Sequence, residues 1–248
     1  MVEDQMTELY DTIGGVYEQF KTVATLPIAE KFTLFKILGN FQGKTILDLA
    51  CGTGFYSRLL KEQGAAKVVG VDISEEMVNV ARQQEMKNPL GNEYQVLDIA
   101  KLHKLGSFDL VTAIYLLNYA ENKEHLLQML SNIRKNLASN GRFVAITVNP
   151  NFSWKKSNST KYGLTVLKQE PLSEGFYSET ELHTNPPFMI KYFGWSQSIY
   201  EWAVTEAGFK KFSWHPIEIP KQAIEQYTED YWQDFLDNCL IIGLSCEN

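Results

Sequence analysis

Several things are scarce in this chain, and each scarcity removes a class of function. It has three cysteines, Cys51, Cys239 and Cys246, at no metal-ligand spacing. An odd, scattered set supplies no disulfide framework, so the sequence predicts reduced thiols in a cytoplasmic protein. The four histidines, His103, His125, His183 and His215, form no cluster with cysteines or acids, and no metal is expected. Positive charge is short too. Thirty acids against 23 bases leave a net charge of −7, whereas a protein that binds duplex nucleic acid usually carries a basic footprint. Lys155, Lys156 and Lys161 are the one basic cluster near the presumed substrate region. No apolar run approaches the roughly 18 residues of a membrane span, and the acidic, polar start of the chain does not resemble a signal peptide.

What remains is ordinary globular composition, long enough for one large α/β domain over residues 1–248. The stretch from Thr45 to Ser57 organises it. Thr45–Leu49 is a short, mostly apolar run of strand length. It breaks at Gly52 and Gly54, and a helical pattern follows at Tyr56, Leu59 and Leu60. A strand that turns through glycines into a helix lets a ligand approach the backbone closely and points free N–H groups at it. Asp48 places a carboxylate near the strand's C-terminal end, where open α/β sheets bind ligands. A second buried strand, Lys67–Val71, ends at Asp72, eighteen residues beyond Gly54. An acid at that tip can accept hydrogen bonds from both hydroxyls of a ribose. The dinucleotide fingerprint needs a third glycine three residues after the second. Ser57 stands there, and Phe55 and Tyr56 crowd the loop. The space suits a cofactor with a compact amino-acid tail, whose ammonium could use Asp48 and the loop carbonyls.

Asp48-Leu-Ala-Cys-Gly52-Thr-Gly54 followed by Val-Gly-Val-Asp72-Ile-Ser resembles the nucleotide-binding core of class I S-adenosylmethionine-dependent methyltransferases, over roughly residues 43–148. Within that superfamily the chain looks most like small-molecule enzymes acting on natural products or metabolites. The resemblance implies S-adenosyl-L-methionine as cofactor and S-adenosyl-L-homocysteine as product. It implies cofactor contacts at Asp48, Ala50, Gly52 and Gly54, and at Asp72 with Ile73 and Met77 beside the adenine. Asp98 would accept from the adenine amino group while Ile99 packs on the ring, and Tyr115 would lie near the methionine end. It also implies a helical cover over residues 1–40, with Tyr10 and Tyr17 near the sulfonium.

The rest of the chain extends the same plan. Ser74 suits a helix N-cap, with Glu75 and Glu76 in the first turn. Tyr94–Leu97 and Phe108–Ile114 read as the third and fourth strands. A helix from about Lys123 to Leu137 would end at a left-handed Asn140-Gly141 cap, ahead of a fifth strand, Arg142–Val148. Five strands alternating with helices specify a doubly wound, Rossmann-like parallel sheet. The helical pattern Ser196–Gly208 and the strands Lys211–His215 and Cys239–Ser245 follow, and the resemblance makes the sheet seven-stranded, mostly parallel, with one reversed strand. An aromatic helical patch, Tyr227 to Leu236, lies between the last two strands and reads mainly as core.

Residues 151–195 break the rhythm. Tyr162–Gln169 and Thr180–Tyr192 look like strands of a β-rich insertion on the substrate side. Nine of its 45 residues are Phe, Trp or Tyr, and such linings suit flat or apolar small molecules. Asn185-Pro186-Pro187-Phe188 matches the signature of amino-group nucleic-acid methyltransferases, but it lies beyond the fifth strand instead of directly after the fourth. Turn punctuation explains it better. Methyl transfer from a sulfonium mainly needs positioning and desolvation, with a base only for an acceptor that arrives protonated. The sequence shows no strong base constellation. His183 is a candidate base, and Tyr177 and Tyr192 are candidate hydroxyls to orient a substrate. The expected partner is a small acceptor, aromatic or partly apolar, with no nucleic acid and no membrane; monomer and homodimer are not distinguished. A protein or RNA methyltransferase, a dehydrogenase with a degenerate fingerprint and a non-catalytic cofactor-binding module are the alternatives.

Overall fold

The short apolar runs pair side by side as parallel strands. The computed structural model describes residues 14–156 and 159–248, apart from the side chains of 14–17 and 19. The described chain begins α1 (Gly14–Val23), α2 (Leu26–Leu38), β1 (Thr45–Leu49), α3 (Phe55–Glu62), β2 (Lys67–Asp72), α4 (Glu75–Lys87) and β3 (Glu93–Val96). It continues with β4 (Phe108–Ile114), α5 (Lys123–Lys135), β5 (Leu137–Val148), β6 (Leu164–Leu172), β7 (Gly175–Leu182) and β8 (Phe188–Trp195). It closes with α6 (Gln197–Glu206), β9 (Lys211–His215), α7 (Lys221–Tyr227), α8 (Glu229–Asp237) and β10 (Ile241–Glu247).

Seven strands form the main sheet in the order β3-β2-β1-β4-β5-β10-β9. β10 runs antiparallel to both neighbours and is the one reversed strand, while β1 pairs in parallel with β2 and β4. The strand order reverses between β1 and β4, and α/β sheets bind ligands outside the C-terminal ends of the strands at such a point. Because β10 is reversed, its first residue, Ile241, pairs with Val148 at the end of β5 and joins that edge.

Local chemistry sets the helix boundaries. Pro27 occupies the first turn of α2, where its missing N–H has no helical partner to lose. Ser74 caps α4, its Oγ accepting the Met77 N–H at 3.2 Å, and Asn122 caps α5 by accepting the His125 N–H at 2.8 Å. On α5, Leu126, Met129, Leu130 and Ile133 form the buried stripe against the sheet.

Two sequence expectations change. α5 stops at Lys135, not at an Asn140-Gly141 cap, and β5 begins at once with Leu137. The buried Asn136 ends the helix by bonding the loop before β4: its Oδ1 accepts the Leu105 N–H at 2.7 Å and its Nδ2 donates to the His103 carbonyl at 3.2 Å. Gly141 lies inside β5 beside the register shift against β4, where a Cβ would stand 2.9 Å from the Phe108 carbonyl. Its missing side chain serves close approach, not a left-handed turn.

The second change is in the insertion. Thr180–Tyr192 is not one strand: it spans the end of β7, a turn and the start of β8, and the excursion is a three-stranded antiparallel sheet, β6-β7-β8. The turn contains Asn185-Pro186-Pro187, all exposed, so the proline pair punctuates a hairpin. Trp195 and Tyr162 help to fix the insertion. Trp195 Nε1 donates to the Ala120 carbonyl at 3.1 Å. Tyr162 stacks on Trp232 of α8 at 5.6 Å and donates its hydroxyl to the Tyr231 carbonyl at 2.6 Å.

Candidate functional site

At the β1 edge the chain turns by backbone conformation. Ala50, Gly52 and Gly54 all adopt positive φ, at 53°, 53° and 79°. Alanine in that region costs about 1 kcal/mol relative to glycine, so the turn is held by its surroundings. The two glycines do different work. A Cβ on Gly54 would lie 2.6 Å from the Tyr94 hydroxyl, so its bareness is needed for packing. No described atom stands within 4 Å of a Cβ on Gly52, whose bare side faces the crevice. Asp72 Oδ2 accepts the Gly52 N–H at 2.8 Å and Oδ1 the Ser74 N–H at 3.0 Å, which fixes the carboxylate at the tip of β2. An open backbone turn beside a fixed acid fits a ribose-bearing ligand, and the residues at this edge suit S-adenosylmethionine.

Asp48 is 1% exposed and accepts the Ser57 hydroxyl at 2.6 Å and the Thr112 hydroxyl at 2.8 Å, which ties α3 and β4 to β1. Burial, partly opposed by those two hydroxyls, pushes its carboxyl up to about 6. Burial also raises the Cys51 thiol well above its usual value, so it is no thiolate nucleophile.

The remaining cofactor candidates divide. Met77 is buried against the sheet and Ile73 is half-buried beside Asp72. Asp98 starts the turn Ile99–Lys101, accepting the Ala100 N–H at 2.8 Å and pairing with Lys101 at 2.8 Å, while Ile99 is buried. Tyr10 lies outside the described residues. Tyr17 lies on α1, its side chain outside them as well.

Tyr115 leads to an arrangement that motif reading missed. It follows β4 with φ +61°, a strained conformation for a bulky residue. Its hydroxyl and that of Tyr56 both donate to the carboxylate of Glu30, which has 0% exposure. Lys21 of α1 completes the set, 2.5 Å from Glu30, with its ammonium 4.9 Å from the Tyr115 ring centroid and 5.2 Å from that of Tyr56. A buried carboxylate needs such partners, because an unpaired charge there is strongly unfavourable. The sequence carries one signal for it. Glu30 falls on the buried stripe of α2 with Leu26, Ala29, Thr33, Leu34 and Leu38, a position where an acid is rare.

Beside Tyr115 lies a cavity walled by the cover, the sheet edge and the insertion, including Phe20, Val148, Leu164, Leu182, Ile190 and Ile241. It is a small cavity of about 50 Å³. Among its few polar side chains is Tyr192, whose hydroxyl pairs with that of Thr180 at 3.1 Å. Of the insertion's nine rings, Tyr192 alone is among the lining residues. Several others pack the insertion itself, such as Tyr177 on Phe193 and Phe193 on Trp195.

The other two catalytic candidates point elsewhere. On β7, Ser178, Thr180 and Leu182 are buried, so Tyr177 takes the opposite face of the strand. It donates its hydroxyl to Glu179 at 3.1 Å, and burial raises it to about 12. His183 is exposed at the end of β7 and bonds Thr165 at 2.9 Å, away from the cavity. Among the described residues no group of His, Cys, Asp and Glu could hold a metal, and no helix is long and apolar enough to cross a membrane.

Comparison with known proteins gives this geometry its context. A family model described as a methyltransferase domain matches residues 40–208, about two thirds of the chain. An uncharacterized protein of Haemophilus influenzae is 35% identical over 147 residues, 57% of this chain and 55% of that one. The ubiquinone biosynthesis O-methyltransferase of Coxiella burnetii is 34% identical over 114 residues, 46% of this chain and 47% of that one. The demethylmenaquinone methyltransferase of Lactococcus lactis is 27% identical over 208 residues, 81% of this chain and 73% of that one. The chain thus spans about half the length of the first two relatives. Among solved structures, an S-adenosylmethionine-dependent methyltransferase from Mesorhizobium loti superimposes with a TM-score of 0.67 at 23% identity, covering 89% of this chain and 98% of that one. The DhpI–SAM–HEP complex does so at 0.66 and 17% identity, covering 100% and 97%. Sheet order, glycine turn, terminal acid and family match agree, and the chain belongs to the class I S-adenosylmethionine-dependent methyltransferases.

Proposed function

We propose that this methyltransferase acts on a small, aromatic or partly apolar metabolite held in the cavity beside Tyr115. The observation that carries the reading is the cavity itself: small, mostly hydrocarbon-walled, and lined by residues at the C-terminal ends of the sheet strands, Tyr115 after β4 and Val148 of β5 among them. The names of two relatives, a ubiquinone biosynthesis O-methyltransferase and a demethylmenaquinone methyltransferase, support an aromatic or partly apolar acceptor. The net charge of −7 offers little to a polyanion, so nucleic acid is not the proposed acceptor. One domain, cytoplasmic, is the reading that accompanies this.

S-adenosylmethionine, when bound, supplies a methyl group on a sulfonium sulfur that departs as a neutral thioether. Asp72 would hold the ribose hydroxyls and the bare backbone at Gly52 would admit the methionyl part. Ile73, Met77, Asp98 and Ile99 would frame the adenine. Tyr17 and Tyr115 would stand near the transferred methyl, with Tyr10 a further candidate on the same cover. The protein's contribution is to align acceptor and methyl and to exclude water from between them.

The test is a screen of small phenols, amines and metabolite extract with methyl-labelled cofactor and mass detection. Label on a low-molecular-weight product supports the reading. Label found only on protein or RNA overturns it.

A further inference from the structure

Asn118 lies in the turn Leu117–Tyr119, between the end of β4 and α5, and lines the cavity. It is 3% exposed, and its Oδ1 has no hydrogen-bond partner among the described residues. A buried acceptor left in that condition is costly to the fold, because it has given up water and gained nothing in its place. The other polar groups on the wall have partners: Thr180 pairs with Tyr192, the Tyr115 hydroxyl is bound to Glu30, and Tyr119 has an interaction too. The rest of the wall is hydrocarbon, so Asn118 Oδ1 is the acceptor that gains most from a polar group on a guest. The position is also the productive one, three residues beyond Tyr115 on the chain that leaves the cofactor edge.

We propose that Asn118 is the specificity-determining residue of the acceptor site: its amide receives the lone O–H or N–H group of an otherwise apolar ring and orients it toward the glycine turn. This rests on the reading of the cavity as the acceptor site. A ring without that group leaves Oδ1 dry as before and gains only hydrocarbon contact. Sites built to bond a substrate hydroxyl reject analogues lacking it far more sharply than apolar pockets reject a missing methylene.

The experiment uses a matched pair of probes, p-cresol and p-xylene, which differ by a hydroxyl in place of a methyl. Each is titrated calorimetrically into the full chain saturated with S-adenosylhomocysteine, for the wild type, Asn118→Leu and Asn118→Ser. Wild type should favour p-cresol by about tenfold or more. Asn118→Leu should bind p-xylene at least as well as p-cresol, and Asn118→Ser should keep part of the preference. Equal affinity for S-adenosylhomocysteine in all three shows that the fold survives; if the leucine variant loses it, the serine variant decides. A leucine variant with the wild-type preference, or a serine variant without any change, overturns the role of Asn118 and leaves the acceptor cavity standing. Binding of neither probe by the wild type overturns both.

Discussion

The two halves of the crevice are built from different materials. On the β1–β2 side the walls are backbone: a left-handed turn, bare glycine and N–H groups fixed by Asp72. On the β5–insertion side they are side chains, mostly Leu, Ile, Val and Phe, brought together from the cover, the sheet edge and a separate three-stranded sheet. A backbone wall fixes one shape and tolerates little change in its glycines. A wall of hydrocarbon side chains can be recut by single substitutions without disturbing the first. The comparison predicts that cofactor binding and acceptor choice are separable, with Glu30, which joins cover to sheet, as the shared support.

The largest expected effect is therefore at the junction. Glu30→Ala leaves the buried ammonium of Lys21 without its carboxylate and should lower stability by about 3–5 kcal/mol in denaturant titration. Adding Lys21→Met should recover much of that; a single mutant as stable as wild type would break the idea of a joint. Next, Asp72→Ala should weaken S-adenosylhomocysteine about a hundredfold or more by calorimetry, since two ribose bonds to a charged acceptor are lost. Unchanged affinity would remove the ribose assignment. On the other half, Leu182→Ala enlarges the cavity and should cost about 2 kcal/mol of stability. It should change S-adenosylhomocysteine affinity less than twofold while admitting a bulkier ring. A matching loss of cofactor affinity would dissolve the distinction between the halves.

The smallest effect concerns Asp48 and pH. Its folded carboxyl titrates at about 6 against an ordinary 3.8. The folded chain therefore holds a proton that the unfolded chain has released between about pH 4 and 6. Stability contributed by this group is greatest below that window and falls as pH rises through it. Asp48→Asn should lose that slope, differing from wild type by about 2 kcal/mol between its ends. Parallel stability curves for the two proteins from pH 4 to 7 would rule it out.

How much of this was legible depended on range. β1 and β4 read to the residue, because apolar runs bounded by glycine or by polar turns identify strands locally. The place of Asp72 at the tip of β2 read from the buried run before it. The inward turn of Asp48 did not, because its partners are nine and 64 residues away. Glu30 announced itself only as an acid on an apolar stripe; its hydroxyl partners sit 26 and 85 residues along the chain. The insertion misled for a different reason. Period two on β7 sends Ser178 and Thr180 to the buried face and Tyr177 to the other. An aromatic count carries no information about faces. Several of its rings pack the insertion itself, and aliphatic neighbours do most of the lining.

Ala50 and Tyr115 each stand one residue past the end of neighbouring strands, and both are left-handed without being glycine. Two adjacent strands thus turn away within one residue of the same level. Turns already set by the fold need no rearrangement to receive a guest, so binding free energy can go into alignment instead.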